Sequence, residues 1–537
     1  MKTIFFTIFV FLCSSAKSQN LEAAKHMISL ERYTTAASQL HELIQREPSN
    51  AQAWYWLAYT YAQQNEADKG KDSLQKAPQS IWNDSYYQLA NAHLLVASGL
   101  VQQAQPLFNT VLINTKERDA GILAAVARAQ VDNKNGDIPY AIGLLQKAIK
   151  RDKRNAEWDL LLGNAYRKMN DGTSAFQAYQ SALQKNKNYA PALYQLGLIF
   201  VTQKNSDMYL DYFNKALTAD PHFAPAIYQL YYHHFNTDPA KAMQYFKEYT
   251  AKADPSPAHQ YAYTDLLYLN KDYDAAITQA KQLLNTNEKE PRLYKMLAYS
   301  YAAKSDTAIA LDYMQQYFGA ETDSNLVIKD FETIADLYMS TNGKENSALV
   351  YLEKAVNLEK DATVRYGYFK KMADVASGLK NYPAQANYLK QYYIGNATAT
   401  NVDLFNWGLA HYRSGNYIAA DSVFALYVKG HPDQGFGYIW QARSQSAMDK
   451  EMKEGKAIPF YQKLIEVVDE NKDDETHKKW LVEAYGYLAA YETNTEKDFA
   501  EAVNYFEKLL EVDPGNEDAK KYITMLEKKI DAGGGNK

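Results

Sequence analysis

The stretch from Tyr189 to Pro221 reads YAPALYQLGLIFVTQKNSDMYLDYFNKALTADP, and its spacing decides the fold. Leu193, Leu196, Gly197 and Phe200 recur at helical intervals along one face, and Tyr209, Phe213 and Ala216 do so again after a polar turn. Pro221 closes the second run, because proline lacks an amide hydrogen and disfavours helix in the residue before it. One unit upstream the pattern returns as Leu162, Gly163, Tyr166, Ala175, Tyr179 and Ala182. A further copy runs Trp54, Leu57, Ala58, Tyr61, Gly70, Leu74 and Ala77, and another Tyr294, Leu297, Ala298, Tyr301, Ala310, Met314 and Tyr317. Leu404, Trp407, Gly408, His411, Ala420, Phe424, Tyr427 and Pro432 repeat it, and Ala502, Phe506, Leu509 and Pro514 end the last copy.

Each unit reads as one helical hairpin. A small residue (Gly163, Gly197, Ala298, Gly408) marks where the first helix presses closest on the second. Another, early in the second helix (Ala175, Ala310, Ala420, Ala502), permits the same approach from the other side. Asn170-Asp171-Gly172 and Ser414-Gly415-Asn416 have the composition of the joining turns. Pro48, Pro221, Pro432 and Pro514 stop the second helices, and proline is expected mainly at helix ends.

The series W-x2-L-G-x2-Y…A-x3-F-x2-A…P resembles the tetratricopeptide repeat, a helix–turn–helix unit of about 34 residues. The resemblance covers residues 19–515 as about 13 or 14 units and implies an all-α superhelical solenoid of antiparallel hairpins. Extra turn residues are expected in the units near Leu89–Val111, Ala125–Ala148 and Ala442–Leu464. Residues 516–530, with Ala519, Tyr522, Ile523, Leu526 and Ile530 on one side, fit the capping helix that an open-ended array needs. The Gly-rich tail 531–537 is expected to be disordered. Ala253–Pro257, Asn396–Asn401 and Asp469–Glu475 have the composition of flexible joints.

The N-terminus reads as a secretory signal peptide over residues 1–18. Lys2 supplies the positive charge, Ile4 to Leu12 is an apolar run too short to span a bilayer, and Ala16-Lys17-Ser18 precedes Gln19 at a small-residue cleavage point. Cys13, the only cysteine, is preceded by Phe11 and Leu12, which argues against a lipoprotein signal. Cleavage after Ser18 leaves a chain without thiols and without a transmembrane segment, destined for the periplasm or cell envelope, with peripheral association open to it. The Ser-Gln junction and the Tyr, Asn and Lys usage resemble exported repeat proteins of Bacteroidetes-type bacteria.

Composition narrows the function. Formal charge is −5 from 58 basic and 63 acidic residues, without a basic stripe to neutralise phosphates, which argues against nucleic acid. His233 and His234 are adjacent on a helix and therefore point about 100° apart, a poor arrangement for one metal ion. Asp132–Asp137 has Lys134 and Gly136 where a calcium loop needs oxygen ligands. Phosphate-cradling and nucleophile-elbow motifs are missing, so neither enzyme activity nor a cofactor is expected. Some relatives in the tetratricopeptide family grip a chaperone's C-terminal carboxylate through paired Lys and Asn. Here Asn164 is paired with Leu160 and Lys295 with Tyr299, so that clamp is not supported.

The family resemblance places one face of each first helix in a concave groove. That face collects Tyr55, Tyr59, Tyr194, Tyr228, Tyr232, Tyr299, Phe405 and Tyr412, with Phe235, flanked by Arg167, Lys168 and Arg413. Aromatics and arginine are the residues in which binding energy concentrates, so the groove is expected to hold a protein or peptide partner. Two alternatives stand beside this. With 45 tyrosines, Tyr is also a general packing residue here, and an architectural subunit would bind by its outer face or by self-association.

Overall fold

A computed structural model describes residues 20–134, 136–286, 290–469 and 474–533; the expected signal peptide and the last four residues of the tail lie outside them. The described residues contain helices and no strand. They pair as fourteen antiparallel hairpins followed by one closing helix, in agreement with the expected solenoid. Ala156, Ala190 and Ala224 open successive first helices at intervals of about 34 residues, the period of the repeat.

The chain divides into two compact units, Met1–Thr286 and Asn287–Lys537. In the first unit the opening hairpin is 20–29 with Tyr33–Arg46. Seven more follow, of which Ala156–Lys168 with Gly172–Lys185, Ala190–Thr202 with Ser206–Ala219, and Ala224–His234 with Pro239–Lys252 build most of the site described below. The second unit begins with Pro291–Ala303 and Thr307–Ala320 and ends with Glu475–Tyr491 and Phe499–Val512, closed by Glu517–Asp531. This last helix buries Ala519 and Leu526 and stacks Tyr522 on Phe506 at 5.4 Å, as a cap should.

Turn chemistry explains why each first helix stops where it does. Asn170, Lys204, Lys271, Lys380 and Gly415 all take left-handed backbone, with φ between 56° and 79°. The next residue in each case, Asp171, Asn205, Asp272, Asn381 or Asn416, accepts a hydrogen bond from an amide in the first turn of the second helix. The Asp/Asn signal read in the sequence is thus an N-cap preceded by a chain reversal.

Contacts between the paired helices sit where the small residues are. A methyl group added at Gly197 would lie 2.5 Å from Cε1 of Phe213, and one at Gly408 would lie 2.7 Å from Phe424. Gly163 meets the ring of Tyr179 in the same way, and Ala175, Ala310, Ala420 and Ala502 are fully buried.

Four expectations need correction. Proline opens helices as well as following them: Pro139, Pro191, Pro225, Pro239, Pro257, Pro291, Pro383 and Pro459 occupy first or second helical positions, where a missing amide hydrogen leaves no bond unmade. The extra residues near Leu89–Val111 precede the hairpin, in the segment carrying the short helix Gln79–Ile81, while its own turn has ordinary length. Ala253–Pro257 is no loose joint, because Asp254 is pinned to the opening hairpin. Asn396–Asn401 ends in a capping box, with Thr400 and Asp403 bonded to each other's backbone amides.

Candidate functional site

Counted from the start of each first helix, the groove candidates fall into register. Tyr55, Tyr194, Tyr228 and Phe405 are fifth residues, Tyr59, Tyr232 and Tyr299 ninth, Arg167 and Tyr412 twelfth, and Lys168 and Arg413 thirteenth. Equal spacing does not give equal exposure.

Tyr55 and Tyr59 are buried, and the expectation that they stand in an open groove is corrected. Tyr55 is 2% exposed, edge-on to Trp56, Tyr86 and His93, and its hydroxyl has no hydrogen-bond partner among the described residues. Tyr59 packs with Ile28 and Ala36 of the opening hairpin and lies edge-on to His93 at 5.3 Å. Burial pushes both phenols up. The following first helix closes over Tyr55, and the opening hairpin closes over Tyr59.

Tyr194 is half-buried, its ring 5.5 Å from Phe223 and 5.8 Å from Phe213; burial first, and then the charge of Glu31, push its hydroxyl up to about 12. One hairpin on, Tyr228 is 41% exposed and Tyr232 is 66% exposed. Tyr228 rests on Tyr231 and Tyr249, and Phe235 packs edge-on against Tyr231. The Arg167 guanidinium donates to Gln195 of the next first helix, and Lys168 is exposed.

In the second unit the candidates serve partly as packing. Phe405 lies about 6 Å from Phe424, Phe436 and Trp440, and Tyr412 meets Trp440 at 5.1 Å. Arg413 is exposed, with its guanidinium 5.7 Å from the ring of Tyr382. The hydroxyl of Tyr299 donates to the fully buried Asp330 at 2.7 Å. Asp330 also accepts from Tyr317 at 3.1 Å, from the amide of Val327, and from Lys295 at 2.7 Å. Lys295, which stands at a clamp position, is therefore committed internally.

Sequence reading missed the polar ladder between successive first helices. Lys370 pairs with Asp403, Lys371 with Asp336, Arg443 with Glu483 at 2.7 Å, and Tyr368 donates to Glu332 at 2.8 Å. The available signal was opposite charge about one repeat apart, which hydrophobic spacing does not report. The first unit holds a more enclosed version. Arg128 pairs with Glu157 and spreads over the rings of Trp56 and Tyr59 at 4.9 and 5.5 Å. Burial works against the charge of Glu157, but Arg128 and Lys25 outweigh it and hold its carboxyl below the ordinary value.

The remaining polar candidates have structural roles. His233 exchanges a 2.6 Å hydrogen bond with Tyr209, and His234 stacks on Tyr245. Asp137 caps its helix, while Gly136 backs onto the carbonyl of Gln130 so closely that no side chain fits. Among the described residues no group of three or more His, Cys, Asp or Glu converges as a metal site, and no helix is long and apolar enough to cross a membrane.

Family models of the repeat agree with the helical hairpins. Tetratricopeptide-repeat models match residues 27–94, 126–191, 160–222 and 487–516. The matched segments are tetratricopeptide repeats, a repeat whose carriers are typically mediators of protein interaction. No curated protein matches the sequence. Similar solved structures include the C-terminal part of a TPR repeat-containing protein from Cytophaga hutchinsonii, 27% identical, covering 49% of this chain and 99% of that one, with a TM-score of 0.32. A tetratricopeptide repeat protein from Parabacteroides merdae is 17% identical over 47% of this chain and 97% of its own, with a TM-score of 0.34. The type IV pilus biogenesis factor PilW is 18% identical over 38% and 95%, with a TM-score of 0.31.

Proposed function

We propose that this chain is a non-catalytic scaffold that holds a protein or peptide partner along the face built by its first helices, on the exported side of a cell envelope. The observation that carries the reading is the pair Tyr228 and Tyr232, one helical turn apart at groove positions and 41% and 66% exposed. Tyr presents wide contact area with few rotamers to freeze, which keeps the entropic cost of capture low. Capture from native envelope extract with wild-type protein, Tyr228→Ala and Tyr232→Ala tests it. One partner retained by wild type and lost from both variants is expected; equal retention by all three sinks the groove.

The exported location is supported by the order of Lys2, the apolar run Ile4 to Leu12, and Ala16-Lys17-Ser18. N-terminal sequencing of protein from its native host is expected to begin near Lys17 or Gln19, and a retained Met1 would refute export.

A second reading, an architectural subunit, is favoured by apolar exposure on second helices. Ile113 and Ile418 are each 73% exposed, and Val350 and Leu426 about half. Under that reading the Tyr variants retain every partner, whereas Ile418→Asp loses assembly.

A further inference from the structure

The groove of the first unit already contains a helix. Residues 20–29 pair with Tyr33–Arg46, but they also reach across to hairpins far away in sequence. Lys25 Nζ lies 3.9 Å from Glu157 Oε2 and 5.4 Å from the ring of Trp56. His26 Nε2 is 3.5 Å from Asp220 Oδ2. Leu30, only 2% exposed, joins a cluster with Leu193, Phe213, Phe223 and Leu230.

Asp254 completes the contact. The N-cap position of Tyr33–Arg46 is Arg32, whose side chain makes no cap. Asp254 supplies one from across the groove, accepting from the amides of Thr34 at 2.7 Å and Thr35 at 3.2 Å and from the Thr35 hydroxyl, with Arg32 Nε 3.5 Å away. Beneath the helix a cavity of about 530 Å³ remains, with Glu31, Arg128, Glu157 and Tyr194 in its lining. The occupant is therefore a Leu knob flanked by Lys25, His26 and Arg32, and its receptor answers with Glu157, Asp220 and Asp254.

We infer that the first unit's groove is a receptor for a helix of another protein that ends in a turn bearing a leucine knob among basic residues, and that residues 20–32 hold the site in cis. The inference rests on the groove reading above and deepens it by naming the partner's chemistry. Its ion pairs are partly exposed, so solvent screens them, and the knob and the cap keep the latch shut. A groove open about one part in a hundred shows an outside helix about a hundredfold weaker apparent affinity than its intrinsic one. Exposure follows the same logic. Tyr59, beside the resident helix, is 7% exposed, whereas Tyr232, at the equivalent position further along, is 66% exposed.

The test uses full-length protein and a fluorescent synthetic peptide of residues 20–32, with anisotropy as the readout. Leu30→Asp removes the knob, and Thr35→Ala, a gentler change outside the span of the peptide, removes the hydroxyl that donates to Asp254 and leaves the receptor side intact. Leu30→Asp is expected to bind the peptide at least tenfold tighter than wild type, and Thr35→Ala severalfold tighter. A peptide carrying Leu30→Asp is expected to lose binding to both. Should Leu30→Asp melt the hairpin, Thr35→Ala alone decides. No gain in peptide binding by a folded variant overturns the inference, and so does a variant that dimerises, since a second copy would then be the occupant. Peptide gain without any retained envelope partner sinks the scaffold reading and leaves this one standing. A partner lost on Tyr228→Ala, with no peptide gain, does the reverse.

Discussion

Replacing Gly197 probes the close contact between the two helices of one hairpin. An alanine methyl at that position would lie 2.5, 2.8 and 3.2 Å from three ring carbons of Phe213, where relaxed carbon contacts are about 3.5–4.0 Å. The helices must part by about 1 Å, or the ring must move by as much. The ring has nowhere to go, since Phe213 is 1% exposed and held between Tyr194 and Tyr209. Overpacking of this kind costs about 1–3 kcal/mol. Against it stands about 1 kcal/mol gained by replacing glycine in a helix interior. Gly197→Ala should therefore lose about 0–2 kcal/mol, and Gly197→Leu should lose the full overpacking term or more. Gly143, also inside a helix but exposed with nothing within 4 Å, is the control: Gly143→Ala should gain about 0.5–1 kcal/mol. Thermal melts by circular dichroism read the sign, and hydrogen exchange should show the loss centred on residues 190–219 and their neighbours, because a repeat array unfolds nearly additively. Wild-type melting of Gly197→Leu, or equal shifts at the two glycines, would refute the placement of the contact.

Other outcomes follow from individual sites. Asp330→Ala strands Lys295, Tyr299 and Tyr317 around a buried vacancy and should cost about 3–5 kcal/mol, read by melting, with Asp330→Asn recovering part of it. Burial first, then the charge of Arg128, depresses His93 from 6.5 to about 3, so the unfolded chain binds a proton that the folded chain refuses. Stability should then fall as pH drops below about 6.5, by roughly 2 kcal/mol at pH 5, and His93→Leu should flatten that slope without loss at pH 7; an unchanged slope contradicts a neutral buried ring. Tyr55→Ala should lower stability by about 3–5 kcal/mol, as truncation of a core aromatic does, while Tyr232→Ala leaves melting within about 0.5 kcal/mol; comparable shifts at the two would contradict the burial contrast.

The hairpins were legible because their signals are local. Gly197 and Phe213, or Asp171 and Ser174, lie within one unit, and periodicity or cap chemistry finds them. Tyr228 and Tyr232 were placed on an exposed face by register alone. Tyr55 and Tyr59 were misplaced because their environment depends on contacts beyond their own hairpin. Tyr55 meets Tyr86 and His93 of the following first helix, and Tyr59 meets Ile28 of the opening one. Nothing in ADPSP announces that Asp254 caps a helix 220 residues earlier. Likewise Arg128 and Glu157 read as two ordinary surface charges until the stack sets them face to face.

Whether partners are held by first helices or by second helices is the central claim, and site-specific photocrosslinking reads it most directly. A photoreactive phenylalanine analogue is placed at Tyr232, 66% exposed on a first helix, or at Ile418, 73% exposed on a second helix, in protein expressed in its native host. The account predicts a discrete protein adduct from Tyr232, diminished by Tyr228→Ala, and none from Ile418. An adduct from Ile418 with a silent Tyr232 would contradict it.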